Sequence, residues 1–230
     1  MSKAFPYYPI FLDLEGRSVV IVGGGGVAAR KVESMLRHGA NVTVIAPECV
    51  SEIEQAARER RLTLRQKNYD QHDLGDATLV IAATSAAAVN QRIADDCRAR
   101  GVLVNVVDDT SRCDFIVPAV VENGSIQIAV STGGKSPAFA RVVKHDLQDA
   151  IGAEYAEMND ILGSLRDAAK SSPKLPTDPD RKRFFDELIA LDVLALLREG
   201  NRLEAYRAIA DLCAANGVVL SDLVRAGLRA

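Results

Sequence analysis

Ser18-Val-Val-Ile-Val-Gly-Gly-Gly-Gly-Val-Ala-Ala-Arg-Lys31 sets a β-branched run against four glycines and then a helical pattern. Taken as Gly23-x-Gly25-x-x-Ala28, it carries the dinucleotide-binding fingerprint in the context that gives it meaning: strand, tight turn, helix. Gly23 permits the turn, Gly25 leaves no Cβ in the path of a pyrophosphate, and Ala28 lets the helix lie close on a sheet. Gly24, Gly26 and Val27 complete the turn, where free N–H groups and the positive end of a helix dipole attract phosphate. Glycine-rich turns also arise for structural reasons alone, so the flanks decide.

The flanks favour the nucleotide reading. Val19, Val20, Ile21 and Val22 form an unbroken apolar run, as in a parallel strand buried on both faces. Beyond the glycines, Ala28, Val32, Met35 and Leu36 recur at helical spacing, and Gly39 sits where a helix C′ glycine belongs. Asn41–Ile45 reads as a second strand, so residues 18–45 make one βαβ unit. That strand ends in Ala46-Pro47-Glu48, without the acidic residue that usually holds the ribose or an arginine for a 2′-phosphate. Glu48 could serve the ribose.

The alternation continues. A short strand near Leu62–Leu64, the buried-type run Leu79–Ala83, a helix with Val89, Ile93 and Cys97 on one face, and the strand Leu103–Val107 predict a Rossmann-type parallel sheet over residues 1–113. The pattern then changes. Phe115–Val121 and Ile126–Ser131 flank Glu122-Asn-Gly-Ser125, a hairpin signal that does not belong to a parallel sheet. Residues 114–150 are therefore expected to form a small β/α dimerisation region. Residues 151–230 read as a helical C-terminal domain, interrupted by the polar, proline-bearing stretch 171–180.

With 230 residues and a net charge of −3, the chain can bury a sizeable core and gives no sign of nucleic-acid binding. Cys49, Cys97, Cys113 and Cys213 are scattered without a CxxC pair, which argues against a metal site or disulfide framework and suits a reducing cytoplasm. The N-terminal stretch carries Pro6 and Pro9 without an apolar core, so no signal peptide is expected. No apolar run reaches the roughly 20 residues that span a bilayer.

Two further segments carry candidate chemistry. Val130-Ser-Thr-Gly-Gly-Lys-Ser136 resembles a P-loop, but the glycine required five positions before Gly134 is Ala129. Its physics suits another ligand: amides at a helix N-terminus capped by Ser136, with Lys135, Arg141 and Lys144 nearby, can hold carboxylates. An ordinary capped helix with solvated basic side chains would look the same. Asn105-Val-Val-Asp108-Asp109 lies at the carboxyl end of the last parallel strand, where open α/β sheets bind ligands. A carboxylate there could accept a proton; it could equally cap a loop. His145, on the helix after Ser136, is of a kind that is usually structural.

Val22-Gly-Gly-Gly-Gly-Val-Ala-Ala-Arg-Lys-Val32, Ala82-Ala-Thr84 with Val89-Asn-Gln91, Asn105-Val-Val-Asp108, Phe115-Ile-Val-Pro118 and Ser131-Thr-Gly-Gly-Lys-Ser-Pro-Ala138 occur in one order and spacing. Together they resemble the precorrin-2 dehydrogenase/sirohydrochlorin ferrochelatase family, including the N-terminal part of multifunctional sirohaem synthases. The resemblance covers residues 6–150 and reaches the helical tail only loosely. It implies NAD as cofactor on Gly23–Ala28 and Thr84, and oxidation of precorrin-2 to sirohydrochlorin by a cytoplasmic homodimer. In some members Fe(II) insertion is added. The family's key aspartate falls on Asp108. A substrate with many carboxylates gives Lys135, Arg141 and Lys144 something to bind, with Ser136 and His145 as further candidate contacts; Thr132 stands where some members have serine, which leaves a serine-specific role without its residue. No methyltransferase segment is read in the chain. The competing expectation is an NAD-sensing regulatory dimer, whose type usually ends the second strand in an acidic residue and needs no Asp108.

Overall fold

Val19, Val20, Ile21 and Val22 are almost wholly buried, because β1 (Ser18–Val22) is the central strand of a five-stranded sheet. The computed structural model describes residues 7–229; the reading of residues 1–6 as free of a leader lies outside them. Around β1 run β2 (Asn41–Ile45), β3 (Thr63–Arg65), β4 (Leu79–Ala82) and β5 (Leu103–Val106), all parallel, in the order β3-β2-β1-β4-β5. Strand side chains alternate between faces. Val19 and Ile21 pack with Ala28 and Val32 of α1 (Gly26–Arg37) and Ile53 of α2 (Ser51–Arg58). Val20 and Val22 pack with Ile93, Ala94 and Cys97 of α3 (Ala87–Arg100). Each large side chain so buried contributes about 1.5–3 kcal/mol. The order reverses between β1 and β4, which opens a crevice at the carboxyl ends of the strands.

Local chemistry ends the elements where the residues demand it. His38 caps α1, and Gly39 follows with φ +73°, the left-handed conformation that lets the chain turn into β2. Beyond β3, Asp73 is 5% exposed and accepts hydrogen bonds from Lys67 at 2.8 Å, Arg65 at 3.2 Å and the Asp70 amide at 2.9 Å.

The chain divides into two compact units, residues 1–117 and 118–230. The hairpin expected to begin at Phe115 begins at β6 (Ala119–Asn123), which pairs antiparallel with β7 (Ile126–Val130). Residues 114–115 are held by the first unit instead: the Asp114 amide donates to Val104 O at 2.8 Å and Asn105 Nδ2 to Phe115 O at 2.9 Å. Pro118, which has no N–H, then separates that extension from the ladder. Asn123 closes the hairpin opposite Ile126, so Gly124 (φ +54°) and Ser125 form the turn rather than Asn123 and Gly124. Segment 118–150, with α4 (Pro137–Ala150), shares one unit with the helices that follow.

Those helices are α5 (Ala153–Lys170), α6 (Asp178–Ala190), α7 (Val193–Arg198), α8 (Arg202–Ala215) and α9 (Asp222–Gly227). Ile161, Leu165, Phe184, Leu188, Ile209 and Val224 meet in their common core. Thr177 starts α6 with a reciprocal cap, accepting from the Asp180 amide while Asp180 accepts from the Thr177 amide.

Candidate active site

The glycine turn is the floor of a cavity of about 720 Å³, which also touches Glu48, Asn68, Tyr69, Thr84, Arg92 and Asp108. Its glycines differ in what they tolerate. A Cβ on Gly23 would be driven into the Ala83 carbonyl, and one on Gly24 into the Glu48 carbonyl. Gly25 and Gly26 have nothing within 4 Å of where a Cβ would stand. Those two face open space, as a bound pyrophosphate requires. Gly25 is the N-cap of α1 and has no side chain to satisfy it; the first helical bond runs from the Ala29 amide to Gly25 O at 3.0 Å. The amides of Gly26, Val27 and Ala28 precede that bond and have no intrahelical acceptor, so the cradle fits a dinucleotide phosphate. Ala28 is itself fully buried against the sheet.

Thr84 lies on the opposite lip, after β4. Its hydroxyl donates to Asn90 Oδ1 at 2.7 Å, and Asn90 Nδ2 donates back to Thr84 O at 2.9 Å, which fixes the turn into α3. Glu48 lines the crevice at the end of β2. The residues beyond it carry no sequence motif. Asn68 and Tyr69 follow β3, and Arg92 comes from α3 with its guanidinium 5.7 Å from the Tyr69 ring centroid. Only the strand order places them in the crevice; topology was the available signal.

Asp108 is exposed at the end of β5, in the left-handed region at φ +61°. A non-glycine residue held there signals a turn fixed by its surroundings. The surroundings are specific. Cys113 Sγ accepts from the Val106 amide at 3.1 Å and lies 3.2 Å from both Val106 O and Asp109 O. Burial pushes that thiol's pKa up, keeping it protonated as a donor. Asp109, its neighbour in the acidic pair, is occupied as a loop cap. It accepts from the Ser111 hydroxyl and amide, which hold its pKa down, and pairs with Arg112, whose Nε donates to Gln91. Asp108 alone of the pair faces the cavity. Asp108, Val107 and Val27 also border a smaller cavity of about 320 Å³ with Arg30, Lys31 and Ser34. The last three stand in or beside the fingerprint, yet nothing in the motif reading gave them a role.

In the second unit, Thr132, Lys135 and Ser136 come together in the turn before α4. Thr132 Oγ1 accepts from the Ser136 amide and donates to Ser136 O, both at 3.1 Å, while Gly133 and Gly134 adopt φ +63° and +77°. The Ser136 hydroxyl caps α4 by accepting from the Phe139 amide at 3.1 Å. Arg141 and His145 are exposed and Lys144 half-buried along one side of α4. No described residue forms a salt bridge with Lys135, Arg141 or Lys144. Among the described residues no group of three or more His, Cys, Asp or Glu side chains is arranged to hold a metal ion, and no helix is long and apolar enough to cross a membrane.

A family model for NAD(P)-binding domains matches residues 10–119, and one described as "Sirohaem biosynthesis protein central" matches residues 123–150. The siroheme synthase of Nitrosospira multiformis is 40% identical over 187 residues, which span 80% of this chain and 39% of that protein. The siroheme synthase of Psychrobacter sp. is 37% identical over 202 residues, 88% of this chain and 41% of that protein. This chain thus spans about two-fifths of the sirohaem synthases it matches. The solved structure "SirC, precorrin-2 dehydrogenase" superposes with a TM-score of 0.72 at 27% identity, covering 89% of this chain and all of that one. With both family models in sequence order, a fold shared over 89% of the chain with that dehydrogenase, and the glycine cradle in place, the chain joins an NAD(P)-binding domain to a sirohaem-biosynthesis central segment and is similar to precorrin-2 dehydrogenase and to part of the sirohaem synthases.

Proposed function

We propose that the chain catalyses NAD-dependent oxidation of precorrin-2 to sirohydrochlorin, in sirohaem synthesis. The observation that carries the reading is the single crevice running from the unobstructed Gly25–Gly26 cradle to a solvent-facing carboxylate on a fixed turn, Asp108. The cofactor, NAD, supplies the two-electron acceptor when bound. The amides of Gly26, Val27 and Ala28 would hold its phosphates, Thr84 would border it, and Glu48 would offer a carboxylate to the ribose hydroxyls. Oxidation of the tetrapyrrole also releases a proton, which needs a base within reach. Asp108 is that base: it stands at the strand end facing the crevice, and Cys113 and the Asp109–Arg112 pair keep its turn from moving.

The substrate is rich in carboxylates. Lys135 and Arg141, with Thr132, Ser136 and His145 in the same segment, are the contacts we assign to them, in support of which neither cation has a salt-bridge partner among the described residues. The NAD-sensing alternative gives no purpose to a strained, exposed Asp108. We also infer a homodimer through residues 114–150. Phe139 and Val142, one turn apart on α4, are 59% and 54% exposed, an apolar pair that a partner would cover.

The test is direct. Purified protein with precorrin-2 and NAD+ should generate NADH absorbance together with the sirohydrochlorin spectrum. A second arm with sirohydrochlorin and Fe(II) or Co(II) tests metal insertion at the same site, with the ion as substrate. Binding of NAD+ without NADH formation would overturn the enzymatic reading in favour of the sensor.

A further inference from the structure

We propose that Arg30 and Lys31 form a carboxylate-binding subsite that docks an acidic arm of the substrate beside Asp108. The proposal deepens the functional reading above and rests on it.

The helix that cradles the cofactor presents Val27, Arg30, Lys31 and Ser34 at i, i+3, i+4 and i+7, a single stripe, to Val107 and Asp108 at the end of β5. Between them lies the cavity of about 320 Å³, with room for an acid arm but not for a macrocycle. Val27, Val107 and Asp108 border the cofactor crevice as well, so a group in this recess sits next to the reacting end of that crevice.

The recess is short of negative charge. Two cations face one carboxylate, and among the described residues neither Arg30 nor Lys31 has a salt-bridge partner within 4 Å. The same helix does pair charges where partners exist: Glu33 takes Arg61 at 3.1 Å. Lys31 is half-buried, and burial followed by repulsion from Arg30 pulls its ammonium pKa down while Asp108 pulls the other way. A half-buried ammonium with too little counter-charge is improved by an arriving anion. Ser34 adds a neutral donor to the lining of the recess. A substrate with several carboxylates around a flat ring offers such an arm, and anchoring it here would hold the ring edge against Asp108.

Three variants, Arg30→Gln, Lys31→Gln and Lys31→Arg, and the double glutamine variant test this. Sirohydrochlorin is titrated in and followed by its visible absorbance, initial rates are taken with precorrin-2, and NAD+ affinity is measured by calorimetry. Each single glutamine variant should raise the sirohydrochlorin Kd and the precorrin-2 KM about tenfold, the scale of a charge-assisted hydrogen bond. The kcat should move by less than about threefold, as for a contact made equally in ground and transition states. NAD+ affinity should stay unchanged, and Lys31→Arg should restore most of the loss. Unchanged sirohydrochlorin and precorrin-2 affinity in the double variant overturns the proposal. So does a matched loss of NAD+ affinity, which would give these cations to the cofactor. Should Lys31→Gln fail to fold by circular dichroism, Arg30→Gln at its exposed position carries the same test alone. Failure of the functional reading looks different: the unaltered protein would bind NAD+ yet neither form NADH from precorrin-2 nor bind sirohydrochlorin.

Discussion

Replacing Gly25 by aspartate separates cofactor binding from folding. Gly25 has φ −85°, which any residue adopts, and no atom lies within 4 Å of a Cβ placed there. It is the N-cap of α1, a position where aspartate ranks with glycine or slightly above it, so stability should change by no more than a few tenths of a kcal/mol. The new carboxylate would claim the helix amides that the phosphate needs. It would also stand about 5 Å from a phosphate charge, costing about 3 kcal/mol at an effective dielectric near 20. Salt screening at the open mouth of the crevice leaves about 2 kcal/mol, or about a 30-fold rise in the NAD+ Kd. Calorimetry with NAD+ and a thermal melt of the same sample read both quantities. Gly24→Ala is the counter-example: its Cβ would strike the Glu48 carbonyl, so a loss of about 1–3 kcal/mol in stability is expected there. A folded Gly25→Asp protein whose NAD+ affinity stays within about threefold of the original refutes the cradle.

Asp108→Asn keeps a residue type that tolerates the left-handed conformation at φ +61° while removing the base, so NADH formation should fall about 10²-fold with NAD+ affinity intact. Asp108→Ala should show the same loss plus about 1–2 kcal/mol of backbone strain in thermal melts, and near-normal turnover in either variant sinks the role given to Asp108. Light scattering should return twice the 24.7 kDa chain mass, and Phe139→Asp with Val142→Asp should halve it; a single-chain mass for the unaltered protein at micromolar concentration refutes the dimer. At Asp73, burial raises the carboxyl pKa, but the hydrogen bonds from Lys67, the Asp70 amide and Arg65 outweigh it and leave the pKa lowered. A lowered native pKa means stability that is present above the unfolded value near 4 and is lost as pH falls through the native value. Asp73→Asn should therefore cost about 2 kcal/mol at pH 7 in urea titrations, reduced from the value for a fully buried pair because Lys67 and Arg65 are half exposed, and the gap should narrow towards pH 3.

The sheet was readable because its strands are unbroken apolar runs and its turns carry glycines with only one workable geometry, as at Gly23 and Gly39. The hairpin was readable in kind but not in register. Phe115 looks like strand by composition, yet its carbonyl serves Asn105, a tertiary bond that no local pattern announces. At the site, Gly25 stood out from the fingerprint, Asp108 from its strand-end position and the family motif, and Thr84 from the family resemblance alone. Tyr69 and Arg92 did not, since their presence at the crevice follows from which strand lies beside which. The competing roles of Asp108 and Asp109 also needed the structure: two adjacent carboxylates look alike until one is found capping Ser111.

The glycine turn and the loop after β2 are joined. The Gly23 amide donates to Ile45 O at 2.9 Å, the Val50 amide donates to Gly24 O at 2.8 Å, and Gly24 lies directly against the Glu48 carbonyl. The glycine turn and the loop that carries Glu48 are thus one mechanical unit rather than two independent parts. An engineer seeking a different cofactor preference who grafts only the stretch around Glu48 would drag the phosphate cradle out of shape. Residues 23–25 and 45–50 have to be transplanted together.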